Sequence, residues 1–339
     1  MKTAVFKKRC EPLVIEDRPL PVPGLNQLLV RVRAVGICGS DLHASEAEWT
    51  PTDIVMGHEF SGEVTAIGPG VGDWTVGDRI LPMINVVCGE CENCKLGIFE
   101  NCSQLEEIGY SQNHTGAYAE YILVSAPNSL RLPANIGYDA AAVIEPLAVG
   151  YDAVRRCGLE MNEAVLIIGA GPIGLSVIQW CKHFGVADIA VSELNTNRLD
   201  RARGMGATLV IDGNQFSNPV EEFERQVGRP PSVIFEAVGL PGMIQQCVRM
   251  AAKDTRIVIV GVCMQSDEFE PMECIVKRVS LIFAMGYSLQ DYTIILRLLE
   301  QERIIADPLI SHRISLDELP EMFERLRKPT DQVKVIVQP

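Results

Sequence analysis

Hydrophobic residues in the middle of the chain are grouped in short continuous runs, separated by longer stretches of mixed polarity. The run at residues 164–168 is rich in β-branched side chains, as is typical of a strand buried on both faces of a parallel sheet. Similar runs follow at residues 189–192, 208–211, 233–237, 256–260 and 279–284. Because helices or loops fill the stretches between them, the pattern predicts an α/β domain with a doubly wound parallel sheet at residues 149–287.

The hydrophobic pattern before residue 149 is different. Shorter runs at residues 28–35 and 60–64 are separated by prolines and glycines, which favour turns, as is typical of an antiparallel or barrel-like β domain at residues 1–148. Near the other end, an amphipathic helix is predicted at residues 316–327, and Val333, Val335 and Val337 alternate as in an edge or hairpin strand. We expect residues 288–339 to return to the first domain.

Composition limits the possible partners. The chain has 339 residues and 47% hydrophobic content, which is enough for two apolar cores. Its net charge of −14 and isoelectric point near 4.9 argue against a nucleic acid or an anionic membrane, since either binds clustered Lys and Arg. The chain begins without the apolar region of a signal peptide, and it contains no apolar run of about 18 residues. We therefore expect a cytoplasmic protein with a small-molecule partner.

Four cysteines with the spacing C-x2-C-x2-C-x7-C suggest a structural zinc site; they are Cys88, Cys91, Cys94 and Cys102. Zinc in closed sites takes four sulfur ligands, and the short gaps allow a single loop to surround the ion. The alternative is a group of reduced core cysteines that cluster by chance. The residues between the cysteines are typical of loops rather than of a core, which favours the zinc site.

A glycine-rich motif follows the run at residues 164–168 directly; its positions are Gly169, Gly171, Pro172, Ile173 and Gly174. This is the G-x-G-x-x-G fingerprint in its proper context, after a strand and before a helix. The first glycine allows the tight turn, the second allows a pyrophosphate to approach the backbone, and the third allows the helix to pack on the strand. Proline suits the first helical turn, because no amide hydrogen bond is lost there. The motif predicts a dinucleotide site.

The next apolar run ends in Glu193, about 20 residues beyond the fingerprint, where this fold places a ribose-binding carboxylate. Such a carboxylate accepts hydrogen bonds from ribose hydroxyls and repels a 2′-phosphate, so NAD is favoured over NADP. Arg198 and Arg201 lie near enough in sequence to keep NADP as the alternative, and Arg198 is also a candidate cofactor-binding residue. A solvated strand-end charge is the other interpretation of Glu193.

A second group of candidate metal ligands lies nearer the start of the chain, at Cys38, His58 and Glu59. Zinc held by one thiolate, one imidazole and one further oxygen keeps a coordination position free for a substrate alcohol, which it polarises as a Lewis acid. The activated alcohol can then give a hydride to a nicotinamide ring. Individually, the cysteine and the histidine could equally be a buried thiol and a structural imidazole.

Three residues beside this group are candidates for moving or orienting protons. Ser40 could take the proton of the alcohol, and His43 could pass it towards solvent, since the two stand a few residues apart on one turn. A solvent-facing histidine without such a role is the alternative for His43. Asp41 is a candidate partner that fixes the tautomer of His58.

These motifs together resemble the zinc-containing medium-chain dehydrogenases, and in particular their polyol (sorbitol-type) and butanediol-type branch. The resemblance covers almost the whole chain and includes residues 57–59, 77–79 and 144–149 in addition to Cys38, the four cysteines and the glycine fingerprint. It implies a GroES-like β-barrel catalytic domain followed by a Rossmann domain, and a catalytic zinc held by Cys38, His58 and Glu59. It also implies that Glu145 lies near this zinc, directly or through water, where liver-type alcohol dehydrogenases have a cysteine.

The total charge of the zinc ligands limits how many of the two glutamates, Glu59 and Glu145, can bind at once. Zinc with one thiolate, one carboxylate and a neutral imidazole is already near neutral, so a second bound carboxylate would weaken its ability to acidify an alcohol. Our hypothesis is that Glu59 and Glu145 alternate as ligands, with Glu145 exchanging with water or substrate.

The expected substrate is a secondary alcohol or vicinal diol, with polyols and sugar acids as a subset. Family members often have an aromatic residue after the position of His43, where this chain has Ala44, so a smaller side chain could open the pocket to bulkier alcohols. Two other functions are possible: a zinc enzyme with an internal NAD redox cycle, of the lyase or epimerase type, and a non-redox scaffold protein. The run at residues 279–284 could pair edge to edge with a second copy, giving a homodimer or homotetramer.

Overall fold

Two units, each with its own sheets and apolar core, make up the chain. The computed structural model describes residues 1–328 and 331–339. One unit contains residues 1–145 and 288–339, and the other contains residues 146–287. The strand order and the helix positions confirm the predicted α/β class, with a mainly antiparallel sheet in the first unit and a parallel sheet in the second.

The first unit begins with ten short or medium strands and three short helices. The strands are β1 (Lys2–Phe6), β2 (Val14–Asp17), β3 (Gln27–Gly36), β4 (Ile54–Val55), β5 (Glu59–Ile67), β6 (Arg79–Pro82), β7 (Asn85–Val86), β8 (Glu106–Glu107), β9 (Tyr121–Ser125) and β10 (Ser129–Arg131). The helices are α1 (Gly39–Ala44), α2 (Glu92–Lys95) and α3 (Tyr138–Ala142), and a 3-10 turn forms at Phe99–Asn101.

The second unit alternates helices and strands, and the chain then returns to the first unit. Its helices are α4 (Ile144–Arg156), which begins just before the boundary, α5 (Pro172–His183), α6 (Thr196–Met205), α7 (Pro219–Val227), α8 (Met243–Met250) and α9 (Pro271–Lys277). Its strands are β11 (Ala164–Ile168), β12 (Asp188–Glu193), β13 (Leu209–Asp212), β14 (Val233–Glu236), β15 (Arg256–Ile259) and β16 (Ser280–Phe283). The returning segment contains α10 (Leu289–Glu300), β17 (Ile310–Ser315), α11 (Leu319–Leu326) and β18 (Lys334–Gln338), with 3-10 turns at Asp307–Leu309 and Leu316–Glu318.

The main sheet of the first unit is built around the long strand β3. Strand β5 pairs with one side of β3, and the other side is shared by β9 and β18, so that the sheet runs β10-β6-β5-β3-β18-β17 with β9 beside β3. All these pairs are antiparallel except β17 with β18. The alternating buried positions of β3 and β5 face an apolar core that includes Val30, Val32, Phe60 and Val64. The pairing of β3 with β5 positions the candidate metal ligands described below.

The sheet of the second unit is parallel throughout, with the order β13-β12-β11-β14-β15-β16. Each predicted apolar run forms one of these strands, and the run at residues 164–168 matches β11 in both bounds. Every residue of β11 is buried, as expected for a central strand that is covered on both faces by helices. The carboxyl ends of β11, β12 and β14 lie at the same edge of the sheet, because the strands are parallel.

The C-terminal strand differs from its prediction. β18 was expected at an edge or in a hairpin, but it lies inside the sheet, between β3 and β17. Its first four residues are all buried, including Lys334. The alternation of Val333, Val335 and Val337 indicates a strand but does not show how many neighbours it has.

Within the described ranges, no helix combines the length and the apolar character needed to cross a membrane.

Candidate metal and cofactor sites

The pairing of β3 with β5 brings the first three candidate ligands together. Gly36, the last residue of β3, stands opposite Glu59, the first residue of β5, and Cys38 caps the start of α1 two residues later. His58 directly precedes β5. One donor atom from each of Cys38, His58 and Glu59 lies within 4.8 Å of the others. A thiolate, an imidazole and a carboxylate at this separation are the donor set of an open zinc site.

The two oxygens of Glu59 differ in a way that fits a bound metal. The carboxylate is buried, and its Oε1 accepts a hydrogen bond from Lys334 Nζ at 2.6 Å. Oε2 is equally buried but has no hydrogen-bond partner among the described residues. A Cβ at Gly36 would collide with Oε2, so the close approach of the two strands depends on glycine at this position. A buried carboxylate oxygen without a partner is costly, and a cation would satisfy it.

His58 is oriented by Asp41, as the sequence suggested. Asp41 is fully buried; its Oδ1 lies 3.3 Å from His58 Nδ1, and its Oδ2 accepts a hydrogen bond from Tyr118 at 2.6 Å. Burial opposes the charged form of both groups, but their mutual attraction prevails, so the pKa of His58 is raised well above its usual value and that of Asp41 is lowered. Engagement of Nδ1 by Asp41 leaves Nε2 as the nitrogen for a metal.

Glu145 does not belong to the group of three donors. It is buried in the first turn of α4, but the donor cluster within 4.8 Å contains only Cys38, His58 and Glu59. Its charge is nevertheless one of the causes that raise the pKa of Lys334 and of Tyr110, after burial and closer groups. In this structure Glu145 is thus a nearby charge rather than part of the donor cluster, and its predicted place as a direct ligand stays a prediction.

The expected contact between Ser40 and His43 is not present among the described residues. The Ser40 hydroxyl donates to Cys38 Sγ at 3.1 Å and lies 2.8 Å from the Tyr110 hydroxyl. His43 is exposed on α1, and no hydrogen bond joins its ring to Ser40 in the part of the chain that the structure describes. The neighbour that sequence reasoning missed is Tyr110.

Tyr110 connects several groups of the site. In addition to Ser40, its hydroxyl lies 3.3 Å from His58 Nδ1 and 3.4 Å from Asp41 Oδ1. Burial and the negative charges of Asp41 and Cys38 raise the pKa of this phenol well above its usual value, so it is a neutral hydrogen-bonding group. The ring of the exposed Trp49 lies 6.4 Å away, centre to centre. Tyr110 stands in an irregular loop, where no periodic pattern could have indicated its direction.

The four cysteines form a compact lobe between β7 and β8. Their sulfurs lie within 4.8 Å of one another, with separations of 3.9 Å for Cys88 and Cys94 and 3.6 Å for Cys88 and Cys102. Sulfurs in a tetrahedral zinc site with bonds of about 2.3 Å are about 3.8 Å apart, so the lobe fits zinc. Backbone N–H groups point at the sulfurs; those of Ser103 and Cys94 lower the pKa of Cys91 to about 6, whereas burial raises the pKa of Cys94 to about 12.

The glycine fingerprint lies at the carboxyl end of β11. Gly169 follows the strand, Gly171 caps α5, and Pro172 and Ile173 occupy the first turn of that helix. Gly174 also belongs to α5, and a Cβ there would collide with the carbonyl oxygen of Gly169. Only glycine therefore allows this approach of helix to turn. The first turn of α5 leaves backbone N–H groups available for an anion such as a pyrophosphate.

Glu193 ends β12 and reaches back to the fingerprint. Its Oε2 accepts a hydrogen bond from the backbone N–H of Ala170 at 2.8 Å, and its Oε1 accepts from those of Leu194 and Asn195. The guanidinium of Arg198 lies 3.8 Å from Oε2. The carboxylate is therefore held beside the glycine turn, where the ribose of a dinucleotide binds in this type of fold.

Comparison with known families agrees with this geometry. Residues 24–134 match the model of the alcohol dehydrogenase GroES-like domain, and residues 172–301 match that of the zinc-binding dehydrogenases. Together the two matches include most of the chain; the first contains Cys38, His58, Glu59 and the four cysteines, and the second contains Gly174 and Glu193.

Individual relatives are similar over nearly their whole length. An L-threonine 3-dehydrogenase of Aeromonas hydrophila is 32% identical over 318 residues, which are 92% of each chain. Among solved structures, 2R,3R-butanediol dehydrogenase from Bacillus subtilis has a TM-score of 0.87 and 29% identity, covering 100% of this chain and 99% of its own. A zinc-binding dehydrogenase from Sinorhizobium meliloti, solved bound to NADP, has a TM-score of 0.88 and 30% identity with the same coverage.

Proposed function

The chain belongs to the zinc-containing medium-chain alcohol and polyol dehydrogenases, and from this premise we propose that it transfers a hydride between NAD and a secondary alcohol, vicinal diol or polyol. The observation that carries the proposal is the donor group of Cys38, His58 and Glu59, with the hydroxyl of Ser40 directly beside it. The four-cysteine lobe would hold a second, structural zinc.

Each residue of the site has a defined task in this proposal. Cys38, His58 and Glu59 would hold the catalytic zinc, and the ion would supply Lewis-acid chemistry towards the oxygen of the alcohol. Asp41 keeps the proton of His58 on Nδ1 and so keeps Nε2 available as a donor atom. The buried carboxyl of Glu145 adds negative charge near the site and is a candidate for exchange with a water or substrate oxygen.

The alcohol proton leaves through hydroxyl groups of the protein. Ser40 Oγ accepts it, since this hydroxyl lies 3.1 Å from Cys38 Sγ and is held by Tyr110 at 2.8 Å. His43 stands at the solvent end of this route, exposed on α1. No hydrogen bond links Ser40 to His43 within residues 1–328 and 331–339, so the proton is not passed directly from one to the other.

Glu193 supports NAD as the cofactor. A 2′-phosphate would have to lie against a carboxylate that is already held beside the glycine turn, which is electrostatically unfavourable. Arg198 is close enough to offset part of this charge, and NADP was bound in the relative from Sinorhizobium meliloti. The preference for NAD is therefore measured as the ratio of kcat/KM with NAD to kcat/KM with NADP.

The substrate class follows from the site and from two of the relatives. Threonine and 2,3-butanediol, named in those relatives, both carry a secondary hydroxyl with a polar group on the adjacent carbon. Ala44 does not widen a pocket as its small size suggested, because its side chain is buried in the apolar core of the first unit. Tyr110 and the exposed Trp49 are the aromatic residues beside the site that a substrate would meet.

The second unit also supports the proposal of a homo-oligomer. β16 is the last strand of its sheet, so one edge of β16 has no neighbour within the described chain. Exposed apolar side chains occur on β16, just beyond it and on the preceding helix α9: Met272, Ile275, Val276, Phe283 and Met285. A second copy of the chain could cover both the strand edge and these side chains.

The test of the proposed function is cofactor reduction by purified protein. NAD or NADP is mixed with threonine, vicinal diols, polyols and bulky secondary alcohols, and absorbance of the reduced nicotinamide is followed before and after chelation of zinc. We expect reduction with one subset of secondary alcohols, lost on chelation and restored by zinc. Turnover of primary alcohols alone would contradict the proposed branch, and product formation without net NADH would indicate an internal redox cycle.

A further inference from the structure

A lysine lies fully buried against the candidate zinc site. Lys334 is only 2% exposed, and its Nζ donates to Glu59 Oε1 at 2.6 Å and to the carbonyl of Ile37 at 3.0 Å. It is brought there by β18, which lies inside the sheet next to β3. The ammonium group thus connects one candidate ligand, Glu59, with the backbone that directly precedes another, Cys38.

The surroundings keep this lysine charged. The buried carboxylate of Glu59 lies 2.6 Å from Nζ, so the ammonium has an opposite charge at hydrogen-bond distance. A buried ion pair is seldom the most stable solution, because apolar side chains of similar size avoid the cost of desolvation. The position of the pair beside the donor group therefore points to a role in the site rather than in folding alone.

We propose that Lys334 is a positioning residue that restricts Glu59 to a single zinc-binding oxygen and so keeps one coordination position open for the substrate. Lys334 occupies Oε1, and Oε2 is the buried oxygen without a hydrogen-bond partner among the described residues. With only Oε2 available, Glu59 binds through one oxygen. The inference rests on the proposed function and extends it to a residue far from the other ligands in sequence.

Lys334 also changes the charge balance of the site. A thiolate and a carboxylate neutralise the two charges of zinc, which would weaken its pull on a substrate oxygen. The ammonium of Lys334 offsets the charge of Glu59 at hydrogen-bond distance in a buried environment, where attraction between charges is strong. The ligand set then retains a net positive charge when Lys334 is included. Removal of Lys334 leaves Glu59 free to bind through both oxygens with its full charge.

The test is Lys334→Met in cobalt-substituted protein, where the visible spectrum of Co²⁺ reports its coordination number without any need for turnover. The spectrum of Cys38→Ser is subtracted, because it contains only the signal of the four-cysteine lobe. We expect weaker visible bands in Lys334→Met, as coordination rises from four to five, and a kcat lower by about tenfold or more, the effect of losing one charge-assisted hydrogen bond. Lys334→Arg, which keeps the charge, should retain the wild-type spectrum.

Controls separate positioning from stability. Lys2→Met removes another lysine of this unit, whose ion pair with Asp317 is on the surface, and should change neither spectrum nor kcat. The double variant Lys334→Met with Glu59→Gln should resemble Glu59→Gln alone, because Lys334 acts through Glu59. Thermal unfolding is measured for each variant. A lower melting temperature with an unchanged cobalt spectrum would show a purely structural role and overturn the inference.

The outcomes also distinguish this inference from the proposed function. An altered cobalt spectrum in Lys334→Met supports the positioning role even if no tested alcohol reduces NAD. Dehydrogenase activity that survives in Lys334→Met with an unchanged spectrum overturns the positioning role and leaves the proposed function intact. Absence of a Cys38-dependent cobalt signal in the wild type would contradict both.

Discussion

Tyr110 illustrates how much one side chain adds to the site. Its hydroxyl lies within hydrogen-bond distance of Ser40 and close to His58 and Asp41. A neutral phenol in this place can hold the Ser40 hydroxyl in one orientation while it also contacts His58, a candidate ligand. Orientation of a proton-accepting group is worth a measurable part of the rate, because misaligned proton transfer is slow.

Replacement of Tyr110 by Phe tests this role. We expect kcat to fall by about three- to tenfold, since Ser40 loses one neutral hydrogen bond worth about 1 kcal/mol. Steady-state kinetics with the best alcohol substrate give kcat and KM separately. The matched control is Tyr121→Phe, because Tyr121 lies in the same unit and its hydroxyl has no hydrogen bond within the described residues. Equal kinetics for the two variants would argue against a role of the Tyr110 hydroxyl.

Cofactor preference is a second property that we expect one residue, Glu193, to control. We expect Glu193→Ala to reduce the ratio of kcat/KM for NAD to kcat/KM for NADP by about tenfold or more, since a hydrogen bond to a charged group is lost and repulsion of a 2′-phosphate is removed. Asp212→Ala is the control, because Asp212 also ends a strand of this sheet, but its carboxylate bonds only to Asn214 and Gln215 among the described residues. An unchanged ratio in Glu193→Ala would remove Glu193 from cofactor selection.

Two strands of the second unit, β12 and β14, end in glutamates whose carboxylates accept hydrogen bonds from the backbone of the following loop. Glu193 at the end of β12 has been described. Glu236 at the end of β14 accepts hydrogen bonds from the backbone N–H groups of Val238 and Gly239, at 2.7 and 2.9 Å. Unlike Glu193 it is almost completely buried, and burial, aided by the charge of Asp267, raises its pKa despite the two N–H donors.

This raised pKa has a consequence for stability. A carboxyl whose pKa is higher in the folded than in the unfolded chain stabilises the fold below the ordinary carboxyl pKa, and this contribution is lost as the pH rises through the raised value. We therefore expect Glu236→Gln, which keeps an oxygen acceptor but has no charge, to be more stable than wild type at pH 8. The gain should shrink towards about pH 4, where the wild-type carboxyl is protonated.

Urea unfolding at both pH values measures this difference. Glu268→Gln serves as the control, because Glu268 lies in the same unit but is exposed. If Glu236→Gln were less stable than wild type at pH 8, the hydrogen bonds of the charged carboxylate would outweigh its burial, and the argument from pKa would be wrong.

For the molecule as a whole, the open edge of β16 is the feature that a second copy would cover. Single exposed apolar residues are common, but here five lie on α9, on β16 and just beyond it, with Met285 77% and Ile275 68% exposed. An uncovered strand edge beside such side chains favours association or aggregation, and two-fold pairing of equal edges closes it.

Light scattering coupled to size-exclusion chromatography tests this expectation. Wild type should elute with two or four times the chain mass of 37.2 kDa, and Ile275→Glu or Phe283→Glu should shift it to a smaller species, because a charge cannot be buried without a partner. Val22→Glu is the matched control, since Val22 is 84% exposed in the other unit. A wild-type monomer at working concentration would contradict the proposed assembly.

The sequence by itself determined the features that depend on residues close together in the chain. The strand β11, the turn from Gly169 into α5 and the spacing of the four cysteines are local patterns, in which each side chain reaches its neighbour through a few bonds. Short continuous apolar runs likewise identified every strand of the parallel sheet. The family was also evident, because its motifs are short and combine in a fixed order.

Only the tertiary structure decided the contacts between residues distant in sequence. Lys334 meets Glu59 because β18 lies beside β3, and the alternation of valines that predicted β18 indicates its faces but not its neighbours. Tyr110 reaches Ser40 from an irregular loop that carries no periodic signal. The grouping of Cys38, His58 and Glu59 likewise depends on the register of β3 with β5. The position of Glu145 outside this group depends on the path of α4. Such contacts arise from packing of the complete fold, which no local pattern encodes.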